Sequence, residues 1–144
     1  MTLNVKNLFL FLLFWPLTLF GAPTPEKVAQ KIKDEKKAGQ LVLVYTHWGE
    51  EYIEATSRVK KIAQLFAESG ADFIIGSHPH VIQSSQKIGD TPVYYSLGNF
   101  IFDQYWDKVV STGLVLELSI KGGEISVTEH KVALGRDGRT CLID

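Results

Sequence analysis

Three of the four histidines in this 144-residue chain follow directly after stretches with the composition of buried strands. His47 follows the apolar residues 41–46 (LVLVYT), and His78 and His80 follow residues 72–76 (DFIIG). Neutral imidazole is a common ligand of Zn, Fe and similar divalent ions. Because ligands of open α/β sheets bind beyond the carboxyl ends of parallel strands, chain order alone brings these imidazoles to one sheet edge. We therefore predict a metal site formed by His47, His78 and His80.

Acidic residues lie close in sequence to these histidines. Glu50 and Glu51 belong to the loop HWGEEY that begins at His47, and Asp103 belongs to the later run YSLGNFIFDQ. Loop carboxylates are usually solvated, which is the alternative for each of them. Of the three we select Glu51 as a candidate catalytic residue, together with His78.

Aromatic residues accompany the same loops. Trp48, Tyr52, Tyr95 and Phe100 are candidates for stacking on a sugar or lining a pocket, and packing in the core or at its rim is the alternative. His130 lies within the last long predicted strand, far from the other histidines in the pattern, and we interpret it as structural.

The elements that must position these residues are predicted from apolar spacing and capping signals. A helix should begin after Thr24, a good N-cap followed by Pro25, and end before Gly39. A second, amphipathic helix is indicated by apolar residues at i, i+3, i+4 and i+7 from Val59, with Gly70 at its end. Placed between the two apolar runs, this second helix completes a βαβ unit.

The remainder of the chain is predicted to be extended. Residues 81–85 and 93–96 form two segments around a turn at 89–92, and residues 113–120 and 124–133 form a hairpin. The fold class is therefore α/β, with a βαβ unit followed by antiparallel C-terminal strands.

Composition narrows the classes of protein to consider. Fifteen Lys and Arg against sixteen Asp and Glu give a net charge of -1, which offers no general attraction for nucleic acid, and we predict no such partner. A hydrophobic fraction of 45% excludes a disordered chain, and a single cysteine excludes a disulfide scaffold.

The N-terminal segment has two interpretations. Residues 8–20 are apolar except for Pro16 and Thr18, and Lys6 precedes them, as in a secretory signal or membrane anchor. This interpretation of residues 1–22 predicts membrane association through residues 8–20 and a place in the bacterial cell envelope, periplasm or exterior. The alternative is a residual core strand, which would allow a cytoplasmic location. Residues 23–144 form the domain in either case.

Three motifs carry a resemblance to a known family. HWGEEY, GADFIIGSHPHVIQ (residues 70–83) and YSLGNFIFDQ resemble, in order and spacing, the C-terminal half of CapA-type poly-γ-glutamate capsule synthesis proteins. These proteins are a branch of the calcineurin-like metallophosphoesterase superfamily. The resemblance implies part of an α/β/β/α sandwich with a two-metal centre at the strand ends, to which His47, His78 and His80 would contribute.

The other metal-binding motifs of that superfamily are absent from this sequence. They are an Asp-x-His, a bridging Asp after Gly and an Asn-His pair, whereas no Asp or His precedes Asp34 and Phe100 follows Asn99. Two ions about 3.5–4 Å apart need a bridging carboxylate, so the three histidines are expected to hold one divalent ion, Mn, Zn or Fe, or none.

Three functions follow from this partial set of motifs. The first hypothesis is a truncated CapA-family protein that is inactive alone, and the second is a phosphoester hydrolase whose N-terminal half is a separate chain. The third hypothesis is a non-enzymatic cell-envelope module that binds polymer through its aromatic loop.

Overall fold

The computed structural model describes residues 8–13, by their backbone alone, and residues 23–143. The elements in chain order are β1 (Leu8–Leu13), α1 (Pro25–Lys37), β2 (Leu41–His47), α2 (Ser57–Glu68), β3 (Phe73–Ser77), β4 (Ser85–Ile88), β5 (Thr91–Tyr94), β6 (Thr112–Lys121), β7 (Glu124–Leu134) and β8 (Thr140–Ile143). The α/β class, with a βαβ unit and antiparallel C-terminal strands, is confirmed.

The first sheet has five strands in the order β1-β2-β3-β5-β4. Strands β1, β2, β3 and β5 are parallel, and β4 pairs antiparallel with β5. Parallel pairing of neighbouring strands places their carboxyl ends side by side, and His47 at the end of β2 is in register with Ser77 at the end of β3. The parallel sheet therefore places the predicted site residues that follow β2 and β3 at the same edge.

Each of the two helices begins after a threonine N-cap, of which Thr24 was predicted and Thr56 was not. The Thr24 side chain accepts a hydrogen bond from the Lys27 amide at 3.5 Å, and Thr56 accepts one from the Val59 amide at 3.4 Å. Each cap satisfies an amide that the first helical turn leaves without a partner. Gly39, with a φ of +77°, follows the end of α1 as predicted.

The run in β2 is apolar throughout because both of its faces are buried. Val42 and Val44 pack in a core formed with the two helices, whereas Leu43 packs in a second core with Phe73 and Tyr94. Successive side chains of a strand point to opposite faces of the sheet. A strand covered by helices on one side and by a second sheet on the other thus has no solvent-facing position in its centre.

The second sheet, with the order β6-β7-β8, covers the face opposite the helices. Its inner face contributes apolar side chains to the second core: Leu116, Leu118, Ile125 and Val127. Its outer face carries the exposed Glu117, Ser119 and Lys121. The described part of the chain therefore forms three layers, α/β/β, of the expected sandwich.

The region around β4 and β5 differs from the sequence-based expectation. The strands occupy residues 85–88 and 91–94, whereas extended segments at 81–85 and 93–96 were predicted. The strand β5 begins earlier because Thr91 is buried and donates a hydrogen bond to the Ala71 carbonyl oxygen at 2.7 Å. Pro92 therefore lies within a strand and not in the predicted turn.

The N-terminal segment is described only in part. Residues 8–13 form β1 and pair with β2, which is the arrangement that the core-strand interpretation expects. The signal or anchor interpretation depends also on residues 1–7 and 14–22, which lie outside the described residues. Among the residues that the structure does describe, no helix is long and apolar enough to cross a membrane. Membrane association through residues 8–20 stays a prediction.

Candidate functional site

The ends of β2 and β3 bring His47 and His78 into contact. Their ring centroids are 4.5 Å apart, with an angle of 37° between the ring planes. The Trp48 amide donates a hydrogen bond to the Ser77 carbonyl oxygen at 3.1 Å, so the pairing of the two strands continues into the loops. Strand register, and not a local motif, is what places the two imidazoles together.

His80 joins the group through an unusual backbone path. His78 and His80 have φ values of +102° and +61°, in a region that residues with a side chain rarely adopt. The rings of the two histidines are 5.9 Å apart and nearly perpendicular, at 64°. An extended His-Pro-His segment would point both rings to the same side, and the left-handed backbone found here excludes that arrangement. Such strain is typical of functional sites.

The loop after β2 folds over this turn and carries Glu51 to it. The Tyr52 amide donates to the carbonyl oxygen of the buried Pro79 at 2.8 Å, and Tyr52 itself has a φ of +65°. This contact ties the loop HWGEEY to the segment between the two histidines. Glu51 is thereby held beside His78 and His80, although it is far from both in sequence.

Glu51, His78 and His80 form a group that can hold a metal ion. Each offers one ligand atom, and these atoms all lie within 4.8 Å of one another. Ligand atoms around one tetrahedral zinc ion at about 2.0–2.2 Å are about 3.3–3.6 Å apart, so the three side chains would have to draw together to bind the same ion. Two half-buried imidazoles and one exposed carboxylate therefore fit a single divalent ion.

His47 lies next to this group without belonging to it. Desolvation lowers the pKa of His47, and the neighbouring His78 and His80 lower it further by repulsion between positive charges. His47 therefore stays neutral at neutral pH, which is the state in which an imidazole can bind a metal ion. The predicted role of His47 as a ligand stays a prediction.

A network of buried amide side chains connects His80 to Tyr52. His80 Nδ1 lies 2.8 Å from Asn99 Oδ1, Asn99 Nδ2 donates to Gln104 Oε1 at 3.1 Å, and Gln104 Nε2 donates to the Tyr52 hydroxyl at 2.8 Å. Asn99 and Gln104 are both buried. Asn99 was rejected as the Asn of an Asn-His metal motif because Phe100 follows it, and no role was predicted for Gln104. The polar residues at the two ends of the segment NFIFDQ (residues 99–104) were the available signal.

The aromatic residues divide into two sets. Tyr95 is buried, and the half-buried Trp48 donates from Nε1 to the Tyr95 carbonyl oxygen at 2.9 Å, so both are structural. Tyr52 and Phe100 are exposed. Two further exposed residues, Phe102 and Trp106, are close to the site: Phe102 lies 4.7 Å from the His80 ring and Trp106 lies 6.3 Å from the Tyr52 ring.

The remaining candidates do not join the group of Glu51, His78 and His80 within the described residues. Glu50 and Asp103 are exposed loop residues. His130 lies on β7 of the second sheet, where its Nε2 is 3.2 Å from Glu117 Oε2.

Comparison with known proteins identifies relatives of this chain. The family model "Bacterial capsule synthesis protein PGA_cap" matches residues 15–104, more than half of the chain. The PGA biosynthesis protein CapA of Bacillus subtilis (strain 168) is 39% identical over 92 residues, which are 63% of this chain and 24% of that protein. The capsule biosynthesis protein CapA of Bacillus anthracis is 46% identical over 91 residues, which are 62% of this chain and 22% of that protein.

The matched region contains the whole candidate site. Residues 15–104 include Glu51, the three clustered histidines and both amides of the network, and they exclude the second sheet. The chain spans about a quarter of the length of the curated relatives that it matches.

Proposed function

This chain belongs to the family of bacterial capsule synthesis proteins, and from that membership we propose that it carries a partial metallophosphoesterase-like metal site used in capsule biosynthesis at the cell envelope. The observation that supports the site is the convergence of Glu51, His78 and His80, whose ligand atoms lie within 4.8 Å of one another at the carboxyl edge of the sheet. The relatives in Bacillus are named as capsule and PGA biosynthesis proteins.

The donor set favours one ion of Zn, Mn or Fe. Two imidazoles and one carboxylate are a ligand set of catalytic zinc sites, in which a fourth position remains open. A divalent ion held there would supply Lewis acidity toward a phosphoester oxygen. Glu51 is the one carboxylate of the group, and a single carboxylate compensates the charge of two adjacent divalent ions poorly. We therefore expect the isolated chain to bind one ion and to have negligible hydrolase activity.

Metal analysis after dialysis tests the proposal. The wild-type chain is loaded with Zn²⁺ or Mn²⁺ and dialysed, and we expect close to one equivalent to be retained. His80→Ala should lose the metal, whereas His130→Ala, a histidine substitution on the other sheet, should retain it. Absence of metal from the wild-type chain, or equal amounts in wild type and His80→Ala, would contradict the proposal.

The same preparations distinguish the hydrolase alternative. Turnover of an aryl phosphodiester should be negligible in the metal-loaded chain. A metal-dependent turnover that appears when a chain supplying the missing Asp and Asn-His motifs is added, and that disappears in His78→Ala, would favour a hydrolase completed by a partner chain.

A polymer-binding role is the second candidate, and the exposed aromatic side chains favour it. Phe100, Phe102 and Trp106 are 52%, 42% and 68% exposed beside the site. Exposed aromatic faces of this kind can contact a polymer chain. Binding of poly-γ-glutamate that persists in a chelator, and that is weakened by Trp106→Ala but not by the distant Leu142→Ala, would support this role.

A further inference from the structure

We infer that Asn99 is a positioning residue that holds His80 as the tautomer with its proton on Nδ1, and that Gln104 extends the network of oriented hydrogen bonds to Tyr52. The inference rests on the proposed metal site, because the function of the ordering is to direct ligand atoms toward one ion. It follows from the directions of four hydrogen bonds, the first of which is fixed by a backbone carbonyl and determines the other three.

The orientation of the Asn99 amide is set by the Val110 carbonyl. Asn99 Nδ2 lies 2.8 Å from that carbonyl oxygen, which can only accept a hydrogen bond. The nitrogen of the amide must therefore face Val110, and its oxygen Oδ1 must face His80. A flipped amide would place two acceptor oxygens against each other in a buried position, where Asn99 is only 6% exposed.

The orientation of Asn99 in turn fixes the proton of His80. Asn99 Oδ1 can only accept, and it lies 2.8 Å from His80 Nδ1, so Nδ1 carries the hydrogen. In the neutral ring the lone pair is then on Nε2. Metal-binding histidines commonly donate their other ring N–H to an oxygen acceptor, which fixes the tautomer and the ring plane. His80 therefore has this arrangement before any metal binds.

The orientation of Asn99 also fixes the orientation of the Gln104 amide, which contacts Tyr52. Asn99 uses its second N–H on Gln104 Oε1, so Gln104 Nε2 must face the Tyr52 hydroxyl and donate to it at 2.8 Å. The Tyr52 oxygen is then an acceptor for Gln104, and its own proton is directed away from that amide.

Close packing holds the backbone around Asn99 in place and so preserves the directions of these hydrogen bonds. Gly98 and Gly113 form a bridge between the segment before Asn99 and the start of β6. A Cβ atom on Gly113 would lie 2.0 Å from the Asn99 carbonyl oxygen, so the two segments approach as closely as glycine permits. The network is therefore attached on one side to the second sheet and on the other to the two loops that carry Glu51 and His80.

Nitrogen-15 NMR of the metal-free protein tests the inference directly. Long-range ¹H–¹⁵N correlations, recorded at a pH where the imidazoles are neutral, report which ring nitrogen of each histidine carries the proton. We expect wild-type His80 to be the Nδ1–H tautomer. Observation of the Nε2–H tautomer as the main form of wild-type His80 would overturn the inference, whatever the behaviour of any variant.

Variants separate positioning from a merely structural role. Asn99→Ala should convert His80 to a mixture of tautomers and raise the Kd for Zn²⁺ by about 10-fold to 100-fold. Asn99→Asp keeps an acceptor beside Nδ1 and should keep the Nδ1–H tautomer, although its second oxygen faces the Val110 carbonyl oxygen and should lower the stability of the protein. The exposed neighbour Asp103→Ala should change neither the tautomer nor the Zn²⁺ affinity. An Asn99→Ala protein with an unchanged His80 tautomer and unchanged Zn²⁺ affinity would overturn the assignment.

The two proposals fail in different ways. If the wild-type chain binds no metal but His80 is the Nδ1–H tautomer, the proposal of a metal site is wrong. The inference that Asn99 holds the His80 tautomer is then still supported. If the chain binds metal and His80 is the Nε2–H tautomer, the metal site is upheld and the role of Asn99 is wrong.

Discussion

Two adjacent glutamates in one loop have different environments. Glu51 offers a carboxylate oxygen to the group with His78 and His80, whereas Glu50 is an exposed residue outside that group. The difference arises because the Tyr52 amide bonds to the Pro79 carbonyl oxygen and fixes the residue before it over the His-Pro-His turn. Substitutions of Glu50 and Glu51 therefore form a matched pair for testing the site.

Glu51→Gln should weaken metal binding, and Glu50→Gln should not. The amide keeps the size of the side chain but removes the negative charge that a divalent ion requires from this set. We expect Kd for Zn²⁺ to rise at least about tenfold in Glu51→Gln, which corresponds to about 1.4 kcal/mol. Titration calorimetry of both variants measures the difference. An equal change in the two variants would show that the effect is one of net charge and not of coordination.

The sequence predicted which histidines converge but not how. Three imidazoles at matching strand ends follow from chain order in a parallel sheet. The inclusion of Glu51 depends on left-handed backbone at Tyr52, His78 and His80, and residue type predicts such conformations poorly outside glycine. The role of Asn99 depends on a hydrogen bond between segments 19 residues apart, which no local pattern encodes.

At the scale of elements, β3 must approach β5 closely for the site to form. Gly76 lies one residue before the end of β3, and a Cβ atom there would lie 2.0 Å from the Tyr95 carbonyl oxygen and 2.2 Å from Trp48 Nε1. The same carbonyl oxygen accepts the Trp48 hydrogen bond. The absence of a side chain at this position allows the Trp48 ring to cross the strand and hold the loop that leads to Glu51.

Gly76→Ala should therefore destabilise the protein and displace the loop after β2. Overpacking against backbone cannot be relieved by rotating a side chain, and we expect a cost of about 3 kcal/mol or more. Urea denaturation measures it. Gly39→Ala is the control, because its Cβ would meet nothing within 4 Å and only its φ of +77° opposes the change, at about 1 kcal/mol. Equal costs for the two variants would contradict the close approach of β3 and β5.

The elements themselves were predicted where burial on two faces or capping determines them. The helix after Thr24 and the apolar strands β2 and β3 are examples, and so is the hairpin of β6 and β7. The predicted bounds of β4 and β5 differ from the observed ones, because the buried Thr91 is held by a hydrogen bond to the Ala71 carbonyl oxygen. This is a tertiary contact, which no local sequence pattern indicates. Strand β8 was not predicted, since its exposed side chains show no alternation of apolar and polar residues.

At the scale of the whole molecule, the site depends on two sheets that stay packed together. The second sheet lies outside the region matched by the family model, yet Asn99 is held against its first strand through Gly113. Besides the apolar core, a polar contact joins the sheets: the Tyr94 hydroxyl on β5 donates to Glu129 Oε1 on β7 at 2.7 Å. Docking of the second sheet therefore stabilises the network behind His80.

Tyr94→Phe should weaken this docking by about 1 kcal/mol, because the apolar ring remains and one hydrogen bond to a charged group is lost. Burial, and then the hydrogen bond and charge of Glu129, raise the pKa of Tyr94 from 10.0 to about 12. The unfolded chain therefore releases this proton first as the pH rises. The stabilisation is complete below pH 10, and it is lost as the pH rises through about 12.

Thermal melts of wild type and Tyr94→Phe from pH 9 to pH 12 provide the measurement. The difference in Tm between the two proteins should be largest near pH 9 and should shrink as the pH approaches 12, because the wild type alone loses this contact. Glu129→Gln is the control, since it keeps an acceptor for the Tyr94 hydroxyl but removes the charge that helps to raise its pKa, so the shrinkage should still begin near pH 10 but be complete at a lower pH. A Tm difference that does not change with pH would show that the two sheets are held together without this bond.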